Sequence, residues 1–202
     1  MADSVQEPAH DGKIDIKGQN VNNIQADKVT IQRGKAGNIK ANNVIVSQAG
    51  AGDIQADTVA LRQAGAQVVK GNQVTIRQGG VLQAKADQLS LTQGGVVFAE
   101  AGEVNLTASA AGAILVGGDA QIDQSQVKAV IARGNVTLDQ SGSGVILARN
   151  ITTGANTGTI LMIAGRVDGD VNAVFGPLAG AAFGAAFALM LALILWLRRR
   201  LF

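Results

Sequence analysis

Two carboxylates, Asp123 and Asp139, each close a short alternating run, Ala120-Gln121-Ile122-Asp123 and Val136-Thr137-Leu138-Asp139. If these runs are adjacent turns of a repeat, both carboxylates project outward on neighbouring strands. A glycan-cleaving site needs such a pair, one group as acid and one as base or nucleophile. Enzymes of that kind build a cleft from longer coils and long loops, and the sequence has neither. The pair is therefore expected to be solvated surface, with the glycan-active enzyme as the least favoured reading. Other reactive groups are sparse. The chain has no Cys, which excludes disulfides and thiolate metal sites. Its one His, His10, lies in a polar stretch without a second ligand. Gly117-Gly118-Asp119 is a single imperfect copy of a calcium-binding nonapeptide. Arg62 and Arg77 are expected to stack as an outward like-charge pair, able to meet an acidic partner or anionic lipid. No catalytic, cofactor-binding or metal-binding residue is expected, and no cofactor; the chain is expected not to be an enzyme.

Composition points the same way. Apolar residues make up 47% of the 202 residues but aromatics only 3%, with no Tyr and one Trp. Such a core suits stacked coils filled by Ile, Val, Leu and Ala. Gly is abundant, at 26 residues, and Pro scarce, at 2, which favours many tight turns. The formal net charge is only +2, and Arg198, Arg199 and Arg200 supply much of the basic excess. No footprint for nucleic acid is visible, neither a basic face nor stacking aromatics.

The elements that must position these groups follow from an internal repeat. An apolar-x-Ala motif is followed by an apolar-x-apolar pair: Ile24/Ala26 with Val29/Ile31, Ile39/Ala41 with Val44/Val46, Ile54/Ala56 with Val59/Leu61, and Val69/Gly71 with Val74/Ile76. Leu82 and Val97 are expected to open the next two units, and Ile114, Val130, Ile146 and Ile160 to continue the series. Alternation such as Val74-Thr75-Ile76 is the mark of a half-buried strand. The repeat predicts two short strands per unit and a Gly-rich corner after the second, as at Gly50/Gly52, Gly79/Gly80, Gly94/Gly95 and Gly142/Gly144. The fold class is all-β: a single-domain β-solenoid, a parallel β-helix of about ten coils of ~15 residues. Residues 1–13 are expected to be disordered and residues 14–172 to form the solenoid. The spacing suits either a flattened or a triangular section.

A glutamine column accompanies the repeat. Gln48, Gln63, Gln78 and Gln93 fall two residues beyond the second pair, and Gln124 and Gln140 hold the same place later. Stacked one strand apart, these amides are expected to face inward or line a corner and to hydrogen-bond along the axis.

Residues 173–202 are expected to form one C-terminal transmembrane α-helix with a short basic tail. Phe175–Leu197 contains no charged residue, and at ~1.5 Å per residue it is long enough to cross a hydrocarbon core of about 30 Å. Trp196, Arg198, Arg199 and Arg200 mark a membrane interface. Gly176, Gly180, Gly184 and Ala188 share one face, the pattern of a helix–helix interface in lipid. Met1–Asn20 carries no apolar secretory core, so the expected arrangement is a single-pass, tail-anchored membrane protein with a cytoplasmic solenoid.

This texture of Ile/Val-x-Ala coils, without Cys or catalytic residues, resembles the bactofilins, polymer-forming bacterial cytoskeletal proteins. The resemblance covers Ile14–Val171. It implies a right-handed β-helix, end-to-end polymerisation without nucleotide and association with the cytoplasmic membrane. The chain departs from that family in its shorter coils and its full C-terminal membrane segment. The expected partners are the lipid bilayer, further copies of the chain as a homo-oligomer and an unidentified protein on the solenoid surface, with no nucleic acid. The leading expectation is a membrane-anchored structural or scaffolding protein, and the alternative an exported, adhesin-like rod.

Overall fold

The computed structural model describes residues 12–169, with 172–173 and 190 besides. Residues 12–169 and 172–173 form a parallel β-solenoid of about ten coils. Five successive coils are carried by strands Lys35–Ser47, Gly50–Arg62, Gly65–Arg77, Gly80–Thr92 and Gly95–Thr107. Each pairs in parallel with the next, so that Ile39 stacks on Ile54, Ile54 on Val69, and Val44 on Val59. Identical positions form columns along the axis at one strand spacing, ~4.8 Å.

The section is triangular. In Gly95–Thr107, Val96, Ala99, Ala101, Val104 and Leu106 all point into the core. The steps of three, from Val96 to Ala99 and from Ala101 to Val104, are corners where the chain turns and the period-two alternation resets. The repeat therefore has three sides where the sequence suggested two strands. The first side was illegible because its inward residue is often only Ala, as in Ala36, Ala51 and Ala66.

Those resets also correct three assignments. Leu82, Val97 and Ile160 are exposed, at 59%, 60% and 53%. The residues stacked below Val69 and Ile146 are instead Ala84, then Ala99, and Met162. Ala84 and Ala99 are fully buried although small. Their coils compensate on the first side, where Val81 and Val96 replace the Ala66 of the coil before. A large residue thus stands on one side of the corner or the other, which keeps the core near its packing density.

The third corner sets the hand-over from coil to coil. Gly18 (φ 68°) and then Arg33, Gln48, Gln63, Gln78, Gln93, Ala108, Gln124, Gln140 and Asn156 (φ 46–55°) all occupy the left-handed region. The turn is therefore made by the glutamine column itself, whereas Gly50, Gly80, Gly95 and Gly142 begin the next strand. Non-glycine residues adopt this conformation at a cost of about 1–3 kcal/mol each. Backbone bonds to the next coil offset it: Gln63 N–H donates to Arg77 O at 2.9 Å and Gln78 N–H to Thr92 O at 3.0 Å.

The period lengthens at Gly117-Gly118-Asp119. Ala101 pairs with Val116 but Val104 with Ala120, so one extra residue enters the second corner. Asp119 Oδ1 accepts the Asn135 backbone N–H at 2.7 Å and its Nδ2 at 3.2 Å. The imperfect nonapeptide is thus a corner insertion stapled by its own aspartate.

Among the described residues no helix is long and apolar enough to cross a membrane. The predicted span, with Gly176, Gly180, Gly184, Ala188, Trp196 and Arg198–Arg200, lies outside the described residues, Met190 apart, as does His10.

Candidate interaction surface

Each candidate surface is a column, because the solenoid presents every side chain beside its counterparts one coil away. At the third corner the amides form a row. Gln48 Nε2 donates to Gln63 Oε1 at 3.2 Å, Gln63 Nε2 to Gln78 Oε1 at 3.3 Å, and Gln78 Nε2 to Gln93 Oε1 at 3.2 Å. The row runs along the outside of the corner and all four residues are exposed, so of the two expected orientations, inward or lining a corner, the structure has the second: a left-handed turn swings the side chain away from the core. Gln124 and Gln140 occupy the same corner beyond Ala108, which interrupts the row.

The second corner carries a row that the sequence reading did not identify: Asp27, Asn42, Asp57, Asn72 and Asp87, at 15-residue steps. Asn42 Nδ2 donates to Asp27 Oδ1, and Asn72 Nδ2 to Asp57 Oδ1 at 3.3 Å. Alternating acid and amide keeps successive carboxylates two strand spacings apart, ~9.6 Å, and avoids direct like-charge stacking. The strict Asp/Asn alternation in the sequence was the available signal.

Asp123 and Asp139 are register partners, and the same column places Thr107 above Asp123. The two carboxylates are therefore neighbours on a flat sheet face, half-buried, with Gln121 Nε2 donating to Asp123 Oδ2 at 3.0 Å. Arg62 and Arg77 are also register partners and both exposed. Lys85 and Glu100, stacked in the same way, form an ion pair at 2.9 Å.

The most distinctive surface is the second side of the triangle. Its two outward positions change character along the rod. In successive coils they are Asn23 and Gln25, Asn38 and Lys40, Asp53 and Gln55, Val68 and Lys70, Gln83 and Lys85, then Phe98 and Glu100. From there they become Ala113 and Leu115, Ala129 and Ile131, Val145 and Leu147, and finally Leu161 and Ile163. Leu115, Ile131, Val145, Leu147, Leu161 and Ile163 are 38–51% exposed. The third side shows no such change toward the same end: beyond Ile45 and Ala60 its central column stays polar through Thr75, Ser90, Asn105, Gln121, Thr137, Thr152 and Asp168. The sequence signal was the loss of alternation in Val145-Ile146-Leu147-Ala148 and Ile160-Leu161-Met162-Ile163, since an uninterrupted apolar run marks a strand covered on both faces.

Basic residues rim this apolar surface. Arg133 and Arg149 stand at the corner beyond Ile131 and Leu147, and Lys128 at the opposite corner; all three are exposed. Between Ala110 and Gly165 the acidic residues are Asp119, which is exposed at the same corner as Arg133 and Arg149, and Asp123 and Asp139, which lie on the third side.

No known protein family, curated protein or solved structure matches the chain.

Proposed function

We propose that the chain is a membrane-anchored structural scaffold: a solenoid rod held at the bilayer by Phe175–Leu197, self-associating and without catalysis. The second side carries this reading. Its outward residues turn apolar coil by coil toward the end that leads into Phe175. The remaining surface supports it too, because rows of amides and alternating charges build a long, repetitive and nearly neutral exterior. Such an exterior suits a spacer or platform.

Self-association is assigned first to the small-residue face Gly176, Gly180, Gly184 and Ala188, where close backbone approach favours helix pairing in lipid. Sedimentation of the full chain in mild detergent tests this. The expected result is an oligomer that Gly180→Leu dissociates; a strict monomer, unaffected by the substitution, would remove self-association from the proposal. An exported rod is the second reading, favoured by Arg198–Arg200, since basic flanks tend to remain cytoplasmic. Protease treatment of intact cells separates the two, because only an exported solenoid is digested.

A further inference from the structure

We infer that the apolar second side of the last four coils lies in the membrane interface, so that the rod rests on the bilayer along this side instead of standing upright on its anchor. The inference rests on the proposed membrane anchoring and adds the orientation of the rod and the chemistry of what it touches, an anionic lipid surface.

Three observations choose this occupant. The first is position. Ala173 is still paired in the sheet, with Thr159, and the charge-free segment begins two residues later in the sequence. The apolar stripe ends at Leu161 and Ile163, in the coil next to that exit. The bilayer that receives the anchor is thus already beside the stripe.

The second is charge. Lys128, Arg133 and Arg149 flank Leu115, Ile131, Val145 and Leu147 on both edges of a side whose outward strand positions bear no carboxylate over these coils; the one acidic residue at its margin, Asp119, shares the second corner with the arginines and is bonded by Asn135. Aliphatic side chains in the centre with Arg and Lys at the margins is the order in which a bilayer offers acyl chains and phosphates. The polar half of the same side carries Asp53 and Glu100 among its lysines and has no such pattern.

The third is area. Four strand spacings by the width of one side give on the order of 300 Å². A stable protein partner in solution needs roughly 800 Å² per subunit. The stripe is too small to hold a second copy by itself, but it suffices to set the tilt of a rod already tethered. Because the stripe runs along the axis, contact over its whole length requires the axis to incline toward the membrane plane.

The chain has no cysteine, so single cysteines report single sites. The full chain is labelled with an environment-sensitive fluorophore at Ile131→Cys, Gln55→Cys or Gln121→Cys. Each labelled protein is reconstituted in phosphatidylcholine–phosphatidylglycerol vesicles containing a lipid with a nitroxide near its headgroup. All three positions point outward, so the label leaves the core intact. The expected result is blue-shifted emission and loss of intensity to the lipid nitroxide at Ile131→Cys only. Gln55→Cys, in the same column at the polar end, and Gln121→Cys, on the third side, remain open to an aqueous quencher. If position 131 stays open to water while Trp196 is quenched by the lipid, the anchor is in place, the rod stands upright and the inference is overturned. Shielding of position 131 from both quenchers means that a second copy covers the stripe, which also overturns it. If neither position 131 nor Trp196 senses the lipid, the proposed anchoring fails as well.

Discussion

Replacing Leu91 by alanine is expected to destabilise the rod by about 3 kcal/mol, whereas Leu82→Ala, nine residues earlier, is expected to change stability by less than about 0.5 kcal/mol. Leu91 is fully buried, stacked between Ile76 and Leu106 in the column that holds most of the large core side chains. Truncation leaves a cavity that its neighbours fill only in part, because backbone ladders on both sides fix the coil spacing. Leu82 stands outward at a corner, 59% exposed. In urea unfolding of the full chain in mild detergent, followed by the strand signal in circular dichroism, Leu91→Ala should lower the midpoint by about 1–2 M, given a slope of about 2 kcal/mol/M. Solenoid coils hold only to their neighbours, so the lesion should also weaken the coupling of the two halves and broaden the transition. Equal effects of the two substitutions would contradict the register at the first corner.

The second large effect concerns volume shared across that corner. Ala84→Ile should cost about 1–3 kcal/mol by overpacking, and Val81→Ala alone about 1–2 kcal/mol by leaving a cavity. The double variant should return to within about 1 kcal/mol of the parent, a coupling of opposite sign to the sum of its parts. The reason lies in the neighbouring coils: Ala51 with Ile54, and Ala66 with Val69, are the arrangement that the double variant recreates. Additive costs in the same unfolding experiment would show that the two side chains do not share one space.

These substitutions also mark where the sequence was legible. The inward pairs Val44/Val46, Val59/Leu61 and Val74/Ile76 are large, alternate with polar neighbours and recur at a fixed step, so their columns followed from the residues alone. The glutamine column was legible for the same reason, as one residue type at one spacing. Side-chain direction at a corner was not. Leu82 looks like core and Ala84 does not, yet the turn between Val81 and Ala84 reverses them. The first side escaped notice because Ala51 and Ala66 do not mark a strand by themselves. The apolar second side was hidden differently: Leu115, Ile131 and Leu147 sit next to the inward Ile114, Val130 and Ile146 in apolar runs, and it takes the register of the coils to line them up as one exposed column. The proposed membrane span, Phe175–Leu197, lies outside the described residues apart from Met190 and rests on the sequence alone, as a charge-free run of membrane-crossing length.

Electron microscopy of the full chain reconstituted in lipid vesicles tests the scaffold most directly. Ten coils at ~4.8 Å give rods of roughly 45–50 Å. The account predicts such rods held at the bilayer surface and gathered in clusters. Bare vesicles with the rods free in the aqueous phase, or rods scattered singly over the membrane, would contradict it.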